Sequence, residues 1–466
     1  MQENEDRSRP RLTRALGLTD CTMLVVGAII GSGIFLTPSI IARTVQNVES
    51  VLLIWIAGGI LTFCGAVSYA ELGAMYPEAG GIYVFLAKCY GKLVAFLFGW
   101  CFFLVILPGA IATLANAFAI YTAYLVGIPL WGAKLLAVVL VLVLTTLNCL
   151  GIKAGARTQN LLTVIKVASL IGIACVLFIF DHSAPNVAAG EGEVPGFPPI
   201  AAIGVAMIAV LWSYDGWHLV TSAAGEVRNP GRNFTGGLLL GTAIVAALYL
   251  LVNLAYLHML SFAEITASAQ VASAAMERAI GPSGGFVVAI AIVLSISGAM
   301  NSNILGGPRV PFAMALDGLF FRKVAYVSPR YHVPTAAIVM VGCVASILTW
   351  VGTFEVLFNA VIFVSWIFYG LGAAAVIVLR KRDPLRERPY RAWGYPVVPI
   401  TFALAALALV INNIVNNFGP SVGGLTVVAT GLPAYYFWSR RLRRVVPTEA
   451  VGDETESPSE TTCDSA

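Results

Sequence analysis

Long runs of apolar residues, each broken by a short polar stretch, set the pattern of this chain. About 20 consecutive apolar residues are what an α-helix needs to cross the hydrocarbon core of a bilayer. About twelve such runs can be read, at residues 20–42, 51–75, 93–124, 131–152, 159–180, 199–222, 234–258, 284–308, 334–352, 355–380, 396–417 and 421–439. The pattern predicts an all-α polytopic membrane protein.

Two of the runs are weak at their centres. The first contains Val26-Gly27-Ala28-Ile29-Ile30-Gly31-Ser32-Gly33-Ile34-Phe35. Glycine gives up the most backbone entropy in a helix. Unwound backbone at membrane depth is tolerated only where it faces protein or a water-filled cavity. There the free N–H groups and the positive helix end suit a carboxylate, which makes Gly31, Ser32 and Gly33 a candidate substrate site. Small residues for close helix packing are the other reading of this run taken alone. The sixth run carries a second weak centre, Trp212-Ser213-Tyr214-Asp215-Gly216-Trp217-His218. A pair of interrupted helices at corresponding places in two halves points to an inverted-repeat transporter. On this reading the repeats cover about 20–180 and 199–380, and two extra helices fill about 396–440.

Charge then orients the chain. Basic residues crowd alternate connections: Arg7 to Arg14, Lys88 and Lys92, Lys153 and Arg157, Arg228 and Arg232, Arg322 to Arg330, Arg380 to Arg391, and Arg440 to Arg444. The positive-inside rule places both termini in the cytoplasm, with a segment 1–19 at one end and a disordered tail 441–466 at the other. The loop 181–198, with Asp181, Glu191 and Glu193, then falls outside. With 58% hydrophobic and 11% charged residues in 466, a soluble protein is excluded. The net charge of +4 is sorted by connection and is no nucleic-acid footprint. Most of the eight cysteines lie inside apolar runs and form no disulfide set. The start is charged and leads into a full-length run, so it does not read as a cleaved signal peptide. His182, His218, His258 and His332 have no metal-ligand spacing. No nucleophile elbow, phosphate-binding lysine loop or two-cysteine metal motif occurs. Neither an enzyme nor a metal or other cofactor is expected, and energy for transport must come from gradients.

Several stretches resemble the amino acid–polyamine–organocation superfamily. They are Gly27-Ala28-Ile29-Ile30-Gly31-Ser32-Gly33-Ile34-Phe35, Ser68-Tyr69-Ala70-Glu71-Leu72-Gly73 with Pro77, and Gly80-Gly81-Ile82-Tyr83. Trp212 to Trp217, Gly225-Glu226-Val227-Arg228-Asn229-Pro230, Arg309, Ala315-Leu316-Asp317-Gly318, Ser365 to Gly370 and Pro389-Tyr390-Arg391 are similar to the L-type amino acid transporter branch. The resemblance spans residues 20 to about 400. It implies a LeuT-type fold, a 5+5 inverted repeat with broken first and sixth helices plus two extra helices. It also implies amino-acid uptake or exchange by alternating access in a multi-pass cell-membrane protein. Animal relatives join a heavy chain through a cysteine between their third and fourth helices. The corresponding loop here, about Tyr124 to Ala133, has none, so no heavy-chain partner is expected.

The resemblance also assigns roles. The substrate carboxylate goes to the N–H groups of Ser32, Gly33 and Ile34 and the Ser32 hydroxyl; the ammonium goes to carbonyls of Ile29, Trp212, Ser213 and Asp215. Trp212 matches an aromatic that closes over substrate. Cationic-amino-acid exchangers of this branch carry an aspartate at position 215. Asp215 therefore either pairs with a cationic substrate side chain, or pairs internally or is protonated in a carrier of neutral amino acids. Lys166 matches a lysine that fills the sodium site of sodium-coupled relatives and touches the unwound first helix and a serine, here Ser295. Snorkelling to the inner face is the alternative for Lys166. Thr113, Asn116 and Asn301 are weaker candidates for the path, with interhelical hydrogen bonding as their commoner role. Glu71 and Glu226 are expected to pair with inner basic residues. The sequence thus predicts a sodium-independent exchanger of neutral and/or cationic L-amino acids, with proton-coupled uptake of an amino acid or polyamine as the alternative.

Overall fold

The computed structural model describes residues 14–180 and 196–445, and 82% of these described residues are helical. The described residues contain no β-strand; one isolated bridge joins Leu16 to Val227. The outer loop expected at 181–198 and the tail beyond 445 fall almost wholly outside the described residues, as does the first part of the N-terminal segment.

Each of the twelve apolar runs is helical, and the ends follow local chemistry. The first run is split into α1 (Leu18–Ile29) and α2 (Gly33–Val45), which meet at a bend of 44°. Next come α3 (Val48–Met75), a short α4 (Ile82–Tyr90) and α5 (Lys92–Cys101). The Asn47 side chain caps α3 by accepting from the Ser50 N–H at 2.8 Å. A widened π-type turn over Phe102–Ile106 joins α5 to α6 (Leu107–Val126). Pro108 has no N–H and its ring would strike a carbonyl one regular turn back, and the wider turn relieves both faults. Then follow α7 (Leu130–Cys149), α8 (Ile152–Ile179), α9 (Ile200–Tyr214), a single turn α10 (Leu219–Ser222) and α11 (Pro230–Met259). Two short helices not expected from the sequence, α12 (Phe262–Ala267) and α13 (Val271–Ile280), fill the connection to α14 (Pro282–Gly306). The last elements are α15 (Arg309–Leu316), α16 (Thr335–Val351), α17 (Phe354–Arg382), α18 (Val397–Asn416) and α19 (Phe418–Val445). Residues 441–445, assigned to the tail on sequence, continue the last helix instead.

Among the described residues, eight helical stretches qualify as spans by length and apolarity, with α5–α6 and α14–α15 each counted as one, and the bent pair α1–α2 makes nine; α9 and α16 are shorter apolar helices. Large apolar side chains exposed on α7, α16 and α18 would be costly in water and suit lipid. The first helix lies in the interior. It packs on α8, α11 and α14, while α2 packs on α9. This brings the two interrupted runs side by side at the centre of the molecule.

Candidate functional site

The site is built from two helix ends. The ladder of α1 closes with Ile30 N–H donating to Val26 O at 2.9 Å, and Ile30 then turns extended. The ladder of α2 opens with Phe35 and Leu36 N–H groups, both donating to Ser32 O at 3.2 and 3.1 Å. The N–H groups of Gly33 and Ile34 precede that ladder at the positive end of α2. Ser32 occupies the N-cap position but does not cap: its buried hydroxyl has no hydrogen-bond partner.

The second interruption begins where α9 stops at Tyr214. Asp215 is extended and Gly216 has a φ of +106°, so the chain leaves the helix before α10. Two glycines let the interruptions touch. A Cβ on Gly33 would stand 2.4 Å from Ser213 Cα, and one on Gly216 would stand 2.8 Å from Ala28 O. Real Cβ atoms essentially never approach that closely. Across the same crossing, the hydroxyls of Thr37 and Ser213 are 2.8 Å apart.

A cleft opens at the crossing, lined by Ile29, Gly31, Ser32, Gly33, Trp212 and Asp215 together with Leu114, Gly216 and Asn303. About 20 Å³ of it is reachable by the centre of a water molecule, room for a water and not for an amino acid. Trp212 packs over it against Phe354 and Phe358, with ring centres 6.3 and 6.1 Å away. The Trp212 indole N–H is buried and has no acceptor.

Carbonyls at the end of α1 are taken by side chains from two other helices. The Lys166 ammonium of α8 donates to Gly27 O at 2.7 Å and to Ile30 O at 2.8 Å. The Tyr249 hydroxyl of α11 reaches Ile29 O at 3.0 Å and Ser213 O at 3.1 Å, joining both interruptions. A cation suits the negative end of a helix, and here two side chains replace the missing next turn. Asp215 accepts from the Tyr369 hydroxyl at Oδ1 at 3.2 Å, and His218 Nδ1 lies 3.6 Å from the same oxygen. The Tyr369 hydroxyl is also 2.9 Å from His218 Nδ1.

A model of the amino acid permease family matches residues 16–437. The chain belongs to the amino acid permease family. The permease is 34% identical over 447 residues to the serine/threonine exchanger SteT of Bacillus subtilis, covering 92% of this chain and 98% of that one. It is 31% identical over 423 residues to the human b(0,+)-type amino acid transporter 1, covering 89% of this chain and 85% of the relative. Identity to the human cystine/glutamate transporter is 28% over 452 residues, covering 95% and 89%. Amino-acid transport across a membrane is thus the activity of the group to which this permease belongs.

Of the residues singled out on sequence, Ile29, Ser32, Gly33, Trp212 and Asp215 line the permease's cleft. Ile34, chosen for its N–H, is not among the lining residues; its side chain is buried in the core, and its N–H stands at the start of α2. The Ser213 side chain is turned to Thr37 and Ala209 O, and not to the cleft. Three of the four carbonyls offered for an ammonium, those of Ile29, Ser213 and Trp212, are already engaged. Tyr249 holds those of Ile29 and Ser213, and Asp215 N–H donates to Trp212 O at 3.1 Å. Lys166 is buried and does not snorkel. Its hydrogen bonds go to the first helix and not to Ser295, whose hydroxyl has no partner; Gly298, one turn on, is the α14 residue it packs against.

Tyr249, Tyr369 and Asn303 escaped the sequence reading of the site. Asn303 stands two positions after Asn301 on α14 and lines the cleft, with its amide bonded to Ala299 O at 3.0 Å. Asn301 instead bridges helices, accepting from Asn148 at 2.8 Å and donating to Gln159 at 3.1 Å. Asn116 likewise bonds to Ala112 O and Thr349 O, and Thr113 to Gly109 O.

The expected inner ion pairs are present. Glu71 accepts from Arg380 at 2.9 and 2.6 Å and from Ala392 N–H at 2.7 Å, with Arg388 at 3.4 Å. Glu226 and Arg309 pair at 2.6 Å with both side chains buried. That pair lines a second small cavity, with Leu16, Asp20, Gln159 and Asn160. The N-terminal segment closes one side of it: the N–H groups of Ala15 and Leu16 donate to Glu226 O at 2.8 and 3.0 Å. Among the described residues no group of His, Cys, Asp and Glu side chains is placed to hold a metal ion.

Proposed function

We propose that the chain is a sodium-independent amino-acid exchanger that works by alternating access, with both termini in the cytoplasm. The observation that carries the reading is the meeting of two interrupted helices at one cleft, where the buried Ser32 hydroxyl has no partner and the α2 N-terminus begins. A substrate carboxylate fits that end, because a helix N-terminus offers N–H donors and a positive dipole to an anion. The ammonium is placed toward Ile29 and Ser213, where it would share or displace the Tyr249 hydroxyl. Trp212 closes the outer side of the cleft, and substrate entry requires it to move.

Sodium independence is inferred from Lys166. Its ammonium bonds to two carbonyls at the unwound end of α1, which supplies a fixed positive charge where a sodium ion would otherwise be needed. That SteT is an exchanger of serine and threonine supports exchange as the mode. Asp215 hydrogen-bonds to Tyr369 and has no fixed cation beside it, which supports internal pairing and neutral L-amino acids as the main substrates. No heavy-chain partner is required on this reading.

The test is uptake of labelled serine, alanine, leucine and arginine into sodium-free proteoliposomes, with and without unlabelled amino acid inside. Exchange predicts strong stimulation by internal amino acid. Uptake driven only by an inward proton gradient would overturn it. Asp215→Asn should spare neutral substrates; selective loss of arginine uptake would make the cationic reading the right one.

A further inference from the structure

Six basic residues of the inner face are engaged: Arg380 and Arg388 with Glu71, Arg309 with Glu226, Lys88 with Glu78, Arg382 with Cys89 O and Arg386 with Asp383. Others are exposed without such a partner, among them Arg14, Arg228, Arg232, Arg330, Lys381 and Arg391, and five of the exposed ones, Lys92, Arg322, Lys323, Arg440 and Arg441, stand beside exposed aromatic rings. Among the described residues none of these five makes an ion pair or a side-chain hydrogen bond.

These five lie at one corner, although they come from three distant segments. The corner is held by Trp438 of α19. Its ring centre lies 6.1 Å from Phe96 of α5, and 5.8 and 5.3 Å from Phe320 and Phe321 in the turn after α15. Lys92 opens α5 one turn before Phe96, Arg322 and Lys323 follow Phe321 directly, and Arg440 and Arg441 follow Trp438 within one turn. The one acidic residue on these segments, Asp317, accepts from the Tyr83 hydroxyl at 2.9 Å. Beside the cations, Phe321, Tyr326, Tyr436 and Phe437 are all more than half exposed, at 54%, 55%, 61% and 61%. Aromatic rings bared next to unpaired cations mark the depth of the lipid headgroups.

We infer that this corner binds the phosphodiester headgroup of an anionic phospholipid. Five unneutralised positive charges around one aromatic floor would repel one another, and a phosphate offers the oxygens that arginine and lysine lack here. The exposed aromatic rings take the upper acyl chain, which a free phosphate in water does not have. The inference is independent of the substrate site; it uses only the membrane location and the inner orientation proposed above. A bound lipid would tie α19 to α5, and α5 runs through the π-type turn into α6, whose Leu114 lines the cleft.

The experiment is a titration of the detergent-purified full-length chain with phosphatidylglycerol, phosphatidylcholine or sn-glycerol 3-phosphate, read by native mass spectrometry. Three double variants are compared: Arg322→Gln/Lys323→Gln, Arg440→Gln/Arg441→Gln, and Lys381→Gln/Arg391→Gln as an equal loss of charge elsewhere on the face. Each basic residue near an anionic surface contributes about 1 kcal/mol, so each of the first two variants should weaken phosphatidylglycerol binding about tenfold or more. The third should change it less than about twofold on the same scale. Equal retention of both lipids by the wild type would overturn the site. So would equal weakening by all three variants, or displacement of the lipid by glycerol phosphate. Ordinary amino-acid exchange by each variant in phosphatidylcholine liposomes shows that it is folded, and a variant that fails this is replaced by its single substitutions.

Discussion

Gly33→Ala tests the crossing of the two interruptions most directly. The added Cβ would lie 2.4 Å from Ser213 Cα and 2.7 Å from Ser213 Cβ, against 3.4 Å or more for an ordinary contact. The obstacle is backbone, so no side-chain rotation relieves it. The two segments must separate by about 1 Å, in a packed interior where overpacking by a single methyl costs about 1–3 kcal/mol. The same displacement moves the Ser32 end of α2 away from Asp215 and Trp212. A misplacement of about 1 Å at a binding site is enough for about a hundredfold loss of rate, equivalent to about 2.7 kcal/mol. The assay is homo-exchange of a labelled amino acid in proteoliposomes, with melting of the purified protein as the measure of folding. Gly172→Ala is the control: its Cβ would meet nothing within 4 Å, and alanine is the better helix former. Exchange should fall about a hundredfold in Gly33→Ala and stay at the wild-type rate in Gly172→Ala. Wild-type exchange by Gly33→Ala would refute the claim that the contact between the interruptions sets the site.

Two further outcomes follow from groups elsewhere. Lys166→Met keeps the side-chain bulk but removes two charge-assisted hydrogen bonds to Gly27 O and Ile30 O, each worth about 1.5–3 kcal/mol. Exchange should drop at least tenfold or so, while the wild type runs equally in sodium and choline chloride; sodium-stimulated uptake by the wild type would refute the reasoning. Glu264, in the connection before α13, is pushed up by partial burial, but hydrogen bonds from the Ser261 N–H and hydroxyl, with Arg278, outweigh this and hold its carboxyl below the usual range. A depressed value means that the ionised form supports the fold, so its contribution is full above the ordinary glutamate range and is lost as pH falls through the depressed value. Amide exchange of α12 should accelerate below about pH 4 in the wild type, and Glu264→Gln should show the faster exchange already at neutral pH; a pH-independent α12 would count against it.

The helices were legible because lipid permits so few alternatives: a long apolar run at membrane depth has to be helical. The interruption at Gly31-Ser32-Gly33 was legible for the same reason, since weak helix formers there contradict their surroundings. Asp215-Gly216 stood out likewise. What closes the ends of those helices did not. Tyr249 sits in an apolar run where a tyrosine looks like any packing residue, and only its position 220 residues from Ile29 makes its hydroxyl matter. Glu71 was expected to find a basic partner, but nothing in its neighbourhood named Arg380, 309 residues away, or the Ala392 N–H. Helix α12 is too short to show an apolar period, and the capping box of Ser261 and Glu264 is the signal that could have marked it; α13 has a clear amphipathic face, with Val271, Ala272, Ala275, Met276 and Ala279 buried, but is too short to be read as a span. Ile34 and Ser213 were placed by position in a motif, for a backbone N–H and a carbonyl, and which of these groups another helix would reach depended on the packing of the helices, which no local pattern encodes.

The bonds between α8 and α1 have a mechanical consequence. Asn160 donates to Asp20 at 3.1 Å, the Thr163 hydroxyl lies 3.2 Å from Met23 O, and Lys166 reaches Gly27 O and Ile30 O. The donors recur every third residue on one helix, and the acceptors follow at matching intervals on the other. All the protons come from α8 and all the oxygens belong to α1. Such a zip resists sliding and peeling alike, because any slip of one notch breaks every rung together. On the transport cycle proposed above, the first half of the broken helix would therefore travel with α8 as a single rod, and the play would lie at its free end, in the few peptides between Ile30 and Gly33.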